Sequence, residues 1–159
     1  MCPQEKPGMT QRSKQTMKQI LFVCTGNTCR SPMAGAILGS IIDQAGRQEE
    51  FLVHSMGVAA YDGQPASQYA VEAMKEDGID LTKHRARRIT LEDIDNASLI
   101  FVMSEAHKQL LSQALPTSAE KIRVMNISDP FGGTLEDYRA CREEIKGWLK
   151  QYLKEHPLW

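Results

Sequence analysis

The sequence predicts a single α/β domain built on a parallel sheet, and three observations carry that prediction. Short apolar runs alternate with longer stretches whose apolar residues recur at helical spacing, the pattern of strands joined by crossover helices. A length of 159 residues suits one domain with a sizeable core. The first apolar run ends in a polar, glycine-containing turn, after which Pro32 opens a helical stripe, a position where its missing N–H does no harm.

Taken in order, residues 1–17 are polar and contain Pro3, Pro7 and Gly8. They are expected to form a disordered extension, or to lie upstream of an alternative start at Met17, with Cys2 exposed and incidental. Residues 20–23 read as a buried strand, and residues 32–45 as a helix with Ala34, Ile37, Leu38, Ile41 and Ala45 inward and Gly46 as its stop. A second strand is expected over residues 51–58. Ser67 is placed to cap the next helix, which turns Ala70, Val71 and Met74 inward and closes at Gly78. Residues 81–88 are basic and irregular, and Thr90-Leu-Glu-Asp93 has the pattern of a capping box. The apolar run over residues 98–103 fits a strand covered on both faces. Ser104 then caps a helix carrying Leu110, Leu111 and Ala114, and residues 121–127 form the fourth strand. In the final helix Leu135, Tyr138, Cys141, Ile145, Trp148, Leu149 and Tyr152 share one face, which makes Cys141 and Trp148 core residues.

Composition is ordinary: 42% hydrophobic, 25% charged, with a formal net charge of −1, so neither a polyanion nor a membrane surface is an expected partner. No apolar run approaches the roughly 20 residues that span a bilayer, and the N-terminus lacks the apolar core of a signal peptide, so a cytoplasmic location is expected. Four cysteines, Cys2, Cys24, Cys29 and Cys141, make no dense disulfide framework.

The chemistry concentrates in Val23-Cys-Thr-Gly-Asn-Thr-Cys-Arg-Ser-Pro-Met-Ala34. A tight loop between a strand end and a helix start aims backbone N–H groups at one spot, with the helix dipole behind them; this is an anion cradle. Cys24 at its start supplies a nucleophile, and Arg30 at its end supplies a planar cation that can hold two phosphoryl oxygens together. The spacing Cys-x5-Arg recurs by chance in about one chain in ten. What lifts it is the context: a strand before it, Gly26-Asn27 in the turn, Ser31-Pro32 after Arg30 and a helix beyond.

This segment resembles the signature of the low-molecular-weight protein tyrosine phosphatase family, and the later Asp129-Pro130-Phe131 resembles that family's general-acid loop, in the order the family requires. The resemblance covers residues 18–153 and assigns residues 18–159 to one such domain. It implies four parallel strands flanked by helices, with the phosphate-binding loop after the first strand. It also implies a cysteine-dependent protein phosphatase that works through a phosphocysteine, with Cys24 as nucleophile, Arg30 as phosphate ligand and Asp129 as general acid, then base. Thr25, Gly26, Asn27, Thr28, Cys29, Arg30 and Ser31 would line the phosphate, and Cys24 would be held as a thiolate by loop N–H groups, the helix N-terminus and Arg30.

Smaller roles follow from matching positions. Asn27 and Ser55 resemble partners that hold the loop's shape, Ser31 a hydroxyl bonded to the nucleophile, and His84 a buried residue bonded back to Asn27. Gly35 departs from the family, which usually has an acidic residue there. Cys29 resembles a redox partner that forms a reversible disulfide with Cys24. No metal or other cofactor is expected, since no second Cys or His pair lies at ligand spacing. The partners are phosphorylated proteins, with no nucleic acid and no membrane, and a monomer is expected.

Substrate choice rests on Thr28 and Phe131. Tyrosine-specific members usually carry Ile or Leu at the first position, whereas threonine there resembles the bacterial protein-arginine phosphatase branch, as does Phe131 followed by Gly132 and Gly133. Phosphoarginine is therefore the expected substrate and phosphotyrosine the alternative. Arsenate reductases of this fold need two further cysteines in a segment matching residues 81–90, which has none here, and have Gln where Pro32 stands. A silent phosphoprotein-binding module would have lost Cys24, Arg30 or Asp129, and all three are present.

Overall fold

The computed structural model describes residues 17–159, so the expected N-terminal extension, Met17 apart, lies outside the described residues. Four strands, β1 (Lys18–Cys24), β2 (Phe51–Gly57), β3 (Leu99–Val102) and β4 (Ile122–Val124), form one parallel sheet in the order β2-β1-β3-β4. Five helices flank it: α1 (Arg30–Gln44), α2 (Gln68–Glu76), α3 (Leu91–Asn96), α4 (Glu105–Ala114) and α5 (Leu135–Glu155). The expected four-stranded α/β architecture is the one observed.

Strand β1 is central, and its alternating side chains divide between two cores, as the two-residue period of a strand requires. Ile20 and Phe22 pack with Met33, Ile37 and Leu38 of α1 and with Ile145 and Leu149 of α5. Leu21 and Val23 point the other way, to Ile94 of α3, Leu111 of α4 and Ile100 and Val102 of β3. Each large side chain fully buried in this way contributes about 1.5–3 kcal/mol. Phe22 stacks on Phe101 with ring centroids 5.0 Å apart, and Trp148 and Tyr152 of α5 meet Phe101 edge-on, which clamps the last helix across the sheet. From β1 the chain crosses to β2 on one side and afterwards to β3 on the other. The crevice where the crossovers diverge opens above Cys24, the place where parallel sheets bind ligands.

Several boundaries differ from expectation for identifiable reasons. Helix α1 begins at Arg30, with Cys29 as its N-cap, so Pro32 is its third residue; first-turn N–H groups lack intrahelical partners in any case, and proline is tolerated there. The fourth strand ends at Val124: the Met125 and Ile127 N–H groups still reach the Val102 and Met103 carbonyls at 2.8 and 3.0 Å, but Asn126 between them is left-handed (φ 57°) and breaks the extended run. On α4 the inward face is His107 and Leu111, while Leu110 is 51% exposed and Ala114 is also outside. Cys141 is buried as expected; Trp148 is half-buried against that core. The box at Thr90 forms as expected, and a second one, Thr134 with Asp137, starts α5. Helix α5 is further pinned to α2 by Arg139 and Arg142, which both hold Glu76 and keep its carboxyl down at about 2. Among the described residues no helix is long and apolar enough to cross a membrane.

Candidate active site

Cys24 is the last residue of β1 and Arg30 the first of α1, so the loop between them is the whole strand-to-helix connection. Its carbonyls are tied outward one by one. The carbonyl of Cys24 accepts from the Val58 N–H at 3.0 Å, that of Thr25 from Ala59 at 2.9 Å, and that of Thr28 from Ser67 at 2.9 Å. The Asn27 carbonyl accepts from His84 Nε2 at 2.8 Å, which fixes that imidazole as the Nε2–H tautomer. In a planar trans peptide the N–H points opposite to the C=O. Outward carbonyls at 24, 25, 27 and 28 therefore turn the N–H groups of Thr25, Gly26, Thr28 and Cys29 into the loop.

The turn needs one residue in the left-handed region, and Asn27 supplies it (φ 58°) at a strain of roughly 1 kcal/mol. Its buried side chain offsets that strain. Nδ2 donates to Ser31 Oγ at 2.8 Å and to Ser55 Oγ at 3.0 Å, while Oδ1 accepts from the Arg87 N–H at 2.9 Å. Ser55 and His84 thus both touch Asn27. Gly57 completes the support: a Cβ there would lie 2.5 Å from the Thr25 carbonyl oxygen and 3.0 Å from the Asn27 nitrogen. Gly35, by contrast, has only ordinary contacts at its Cβ position, the nearest being Ser55 Cβ at 3.7 Å.

Three donors converge on the Cys24 sulfur: the Ser31 hydroxyl at 2.9 Å, the Asn27 N–H at 3.2 Å and the Ser31 N–H. Ser31 Oγ accepts from Asn27, and its one proton has two acceptors in reach, the Cys24 sulfur at 2.9 Å and the Met56 carbonyl at 3.4 Å, of which the sulfur is the nearer. Burial pushes the Cys24 thiol up from its ordinary value, and the Ser31 and Asn27 donors and the Arg30 charge pull against it. The sequence predicts a lowered thiol. Burial outweighs the stabilising groups, and the thiolate, once formed, has three donors aimed at it.

Arg30 is buried and donates from Nη1 to the Ile127 carbonyl at 3.0 Å, while Nη2 stands 3.6 Å from Asp129 Oδ2. The Asp129 side chain is 52% exposed, and its Oδ1 accepts from the Phe131 N–H at 3.1 Å. Gly132 is left-handed (φ 82°), and a Cβ at Gly133 would strike the Pro130 carbonyl and the Asp137 side chain, so this loop is shaped by its two glycines. Cys24, Thr25, Gly26, Thr28, Cys29, Arg30, Asp129 and Phe131 all line one cavity of about 300 Å³, together with Ala59, Tyr61 and Gln64. Asn27, Ser31, Ser55 and His84 lie behind it.

Cys29 is a free thiol whose sulfur meets Ser67 Oγ at 3.1 Å and Tyr138 OH at 3.3 Å. Ser67 stands at the N-cap of α2, yet its side chain makes no cap bond there. Burial pushes the Tyr138 phenol up to about 12 and the Cys141 thiol likewise to about 12, so both stay protonated. Among the described residues no cluster of three or more His, Cys, Asp or Glu side chains is arranged to hold a metal ion.

Sequence reasoning missed Gly57, Tyr138 and His107. His107 is buried, with Nε2 2.9 Å from Thr25 Oγ1 and Nδ1 2.8 Å from Ser104 Oγ. A glycine ending a strand next to the loop was the available signal for the first. The other two reach the loop across 109 and 82 positions of chain, where no local pattern points to them.

Residues 19–156 match the family described as low molecular weight phosphotyrosine protein phosphatase. A protein-arginine-phosphatase of Geobacillus stearothermophilus is 40% identical over 137 residues, covering 80% of this chain and 88% of its own. One from Bacillus subtilis is 36% identical over 145 residues, covering 86% and 95%. The crystal structure of a low molecular weight protein tyrosine phosphatase from T. tengcongensis superposes with a TM-score of 0.81 at 37% identity, covering 87% of this chain and 99% of that one. The chain belongs to the low molecular weight phosphotyrosine protein phosphatase family, cysteine-based hydrolases of phosphorylated substrates.

Proposed function

We propose that the chain dephosphorylates protein side chains through a phosphocysteine and that its preferred substrate is phosphoarginine. Cys24 gives its proton to an oxygen of the arriving phosphoryl group and attacks phosphorus in line as the thiolate; the S–P bond forms as the P–N bond breaks, and Asp129, entering protonated, gives its proton to the departing guanidinium nitrogen. Water then attacks phosphorus, the S–P bond breaks, a water proton passes to Asp129, and inorganic phosphate leaves. The inward N–H groups and Arg30 hold the equatorial oxygens throughout. Asp129 gives up its Arg30 partner when the phosphoryl group takes that cation, which leaves the carboxyl at the mouth beside the leaving atom.

The observation that carries the arginine reading is Thr28, which lines the cavity beside Cys24 and Arg30 and brings a hydroxyl instead of an aliphatic collar. The protein-arginine-phosphatases at 36–40% identity support it. One feature favours the phosphotyrosine reading instead: Tyr61 and Phe131, 78% and 74% exposed, stand at the mouth and offer two aromatic faces to a phenyl ring. The test is kcat/KM on a phosphoarginine peptide and a phosphotyrosine peptide, for wild type and for Thr28→Ile. A phosphoarginine preference that reverses in Thr28→Ile supports the arginine reading. A phosphotyrosine preference in both proteins overturns it.

Cys29 belongs to the same proposal as a redox partner of Cys24. Oxidation by peroxide would join the two sulfurs as both thiols lose their protons and peroxide is reduced to water, and Cys29 would leave Ser67 and Tyr138 to do so. Peroxide inactivation that thiol reverses in wild type but not in Cys29→Ser is the expected result.

A further inference from the structure

His107 is a buried, ionisable side chain bonded to the loop that the reaction scheme above does not use. It sits in the first turn of α4, on the opposite side of β1 from α1, and reaches the first loop residue, Thr25. Its ring contacts fit either tautomer, and one of the two also gives the Ser104 hydroxyl proton an acceptor. Ser104 Oγ already accepts the His107 backbone N–H, and the acceptor within reach of the Ser104 hydroxyl proton is ring Nδ1, 2.8 Å away. With Nδ1 as acceptor, the ring proton lies on Nε2 and is donated to Thr25 Oγ1. The Thr25 hydroxyl then has its own proton free, and Thr25 is an exposed residue lining the cavity.

We propose that His107 is a positioning residue of the phosphatase site: a donor chain from Ser104 through His107 to Thr25 locks the first residue of the loop and turns the Thr25 hydroxyl proton toward a phosphoryl oxygen. The chain needs a neutral ring, and its surroundings keep it so. Burial and the nearby Arg30 charge push the imidazole below its ordinary value, Asp129 opposing them. Those two are the charged groups whose field reaches it; Ser104 and Thr25 are its bonded neighbours. Neither ring nitrogen is left to act as acid or base on substrate, so the role runs through Thr25 alone.

The inference rests on the phosphatase reading, and wild-type turnover of para-nitrophenyl phosphate with its loss in Cys24→Ser tests that reading separately. The experiment is a cycle of His107→Phe, Thr25→Val and the double variant, assayed with para-nitrophenyl phosphate and with inorganic phosphate as inhibitor. Each single change is expected to lower kcat/KM and weaken phosphate inhibition about 10-fold, the scale of one lost hydrogen bond to a charged group. The double variant should lose no more than either single one. His107→Gln, whose amide can still donate, should recover most of the loss, and Thr25→Ser, which keeps a hydroxyl to donate, should lose far less than Thr25→Val. If His107→Phe does not fold, His107→Gln and the Thr25 variants carry the test, Thr25→Val weakening phosphate inhibition several-fold more than Thr25→Ser. Single effects that multiply in the double variant, or a Thr25→Val that inhibits and turns over like wild type, would overturn the proposal.

Discussion

Residues 24–31 and residues 129–133 face each other across one cavity and are held in opposite ways. In the first, four carbonyls, one left-handed side chain and the Cys24 sulfur all have partners, drawn from β2 and the two residues after it, α1, the N-cap of α2 and the segment around His84. In the second, Asp129 is half in solvent, with one backbone N–H and one distant cation for company. The contrast matches what each half of the proposed reaction demands. Charge held on a phosphoryl group is stabilised only by dipoles that do not have to reorganise, so the cradle is over-determined. A group that must donate a proton and later accept one needs room to follow the leaving atom and then a water. Loss of the cradle should therefore damage fold and activity together, and loss of the acid should damage activity alone.

The largest effect that separates the two is Asp129→Asn. It should lower kcat by about 10²–10⁴-fold, while the thermal midpoint stays at the wild-type value, because the side chain is exposed and makes one bond. Asn27→Ala should do both kinds of harm. It strips Ser31, Ser55 and the Arg87 N–H of a partner and forces alanine into the left-handed region. Urea unfolding should record a loss of about 2–3 kcal/mol, with kcat/KM falling in parallel. Gly57→Ala sharpens the same point from outside the loop. Its Cβ would press on the Thr25 carbonyl and the Asn27 nitrogen, so a loss of about 1–3 kcal/mol is expected, together with weaker inhibition by inorganic phosphate.

The smallest effect is one of pH. Burial holds the His84 imidazole below its ordinary value, with Arg85 acting the same way and the bond to the Asn27 carbonyl opposing both. A histidine depressed in the folded state contributes stability above its unfolded value, near about 6.5, and that contribution is lost as pH falls through the folded value. The thermal midpoint should accordingly drop as pH goes below the ordinary imidazole range. His107 adds to the drop with the same sign, so His84→Gln, which keeps a donor for Asn27, should remove only part of it.

The contrast between the regions also marks what could be read from sequence. The loop is local: Cys24, Asn27, Arg30 and Ser31 lie within eight positions, and the strand, turn and helix that shape it follow one another directly, so residue types at fixed spacing carried the information. The order of strands and helices was legible for the same reason, since each element is a run with one period. Groups that come to the loop from afar were not legible. His107 hid because a polar residue on the buried face of α4 shifts the apparent stripe toward Leu110, which is in fact exposed. Tyr138 was read as core, which it is, but its hydroxyl contact with Cys29 depends on how α5 crosses the sheet. Ser67 has the right residue type and place for a cap, yet its hydroxyl lies with the Cys29 sulfur instead. Asn126 breaks the extended run of a strand whose apolar pattern runs on, because its backbone is left-handed, although the Ile127 N–H beyond it still reaches the Met103 carbonyl.

The most direct test of the account is a search for the covalent intermediate on acid-quenched enzyme, by peptide mass spectrometry, during turnover of a phosphorylated substrate. The account predicts one phosphoryl group on the Cys24 sulfur during wild-type turnover, and loss of steady turnover in Cys24→Ser. Steady turnover with no phosphoryl group on Cys24, or activity that survives Cys24→Ser, would contradict it.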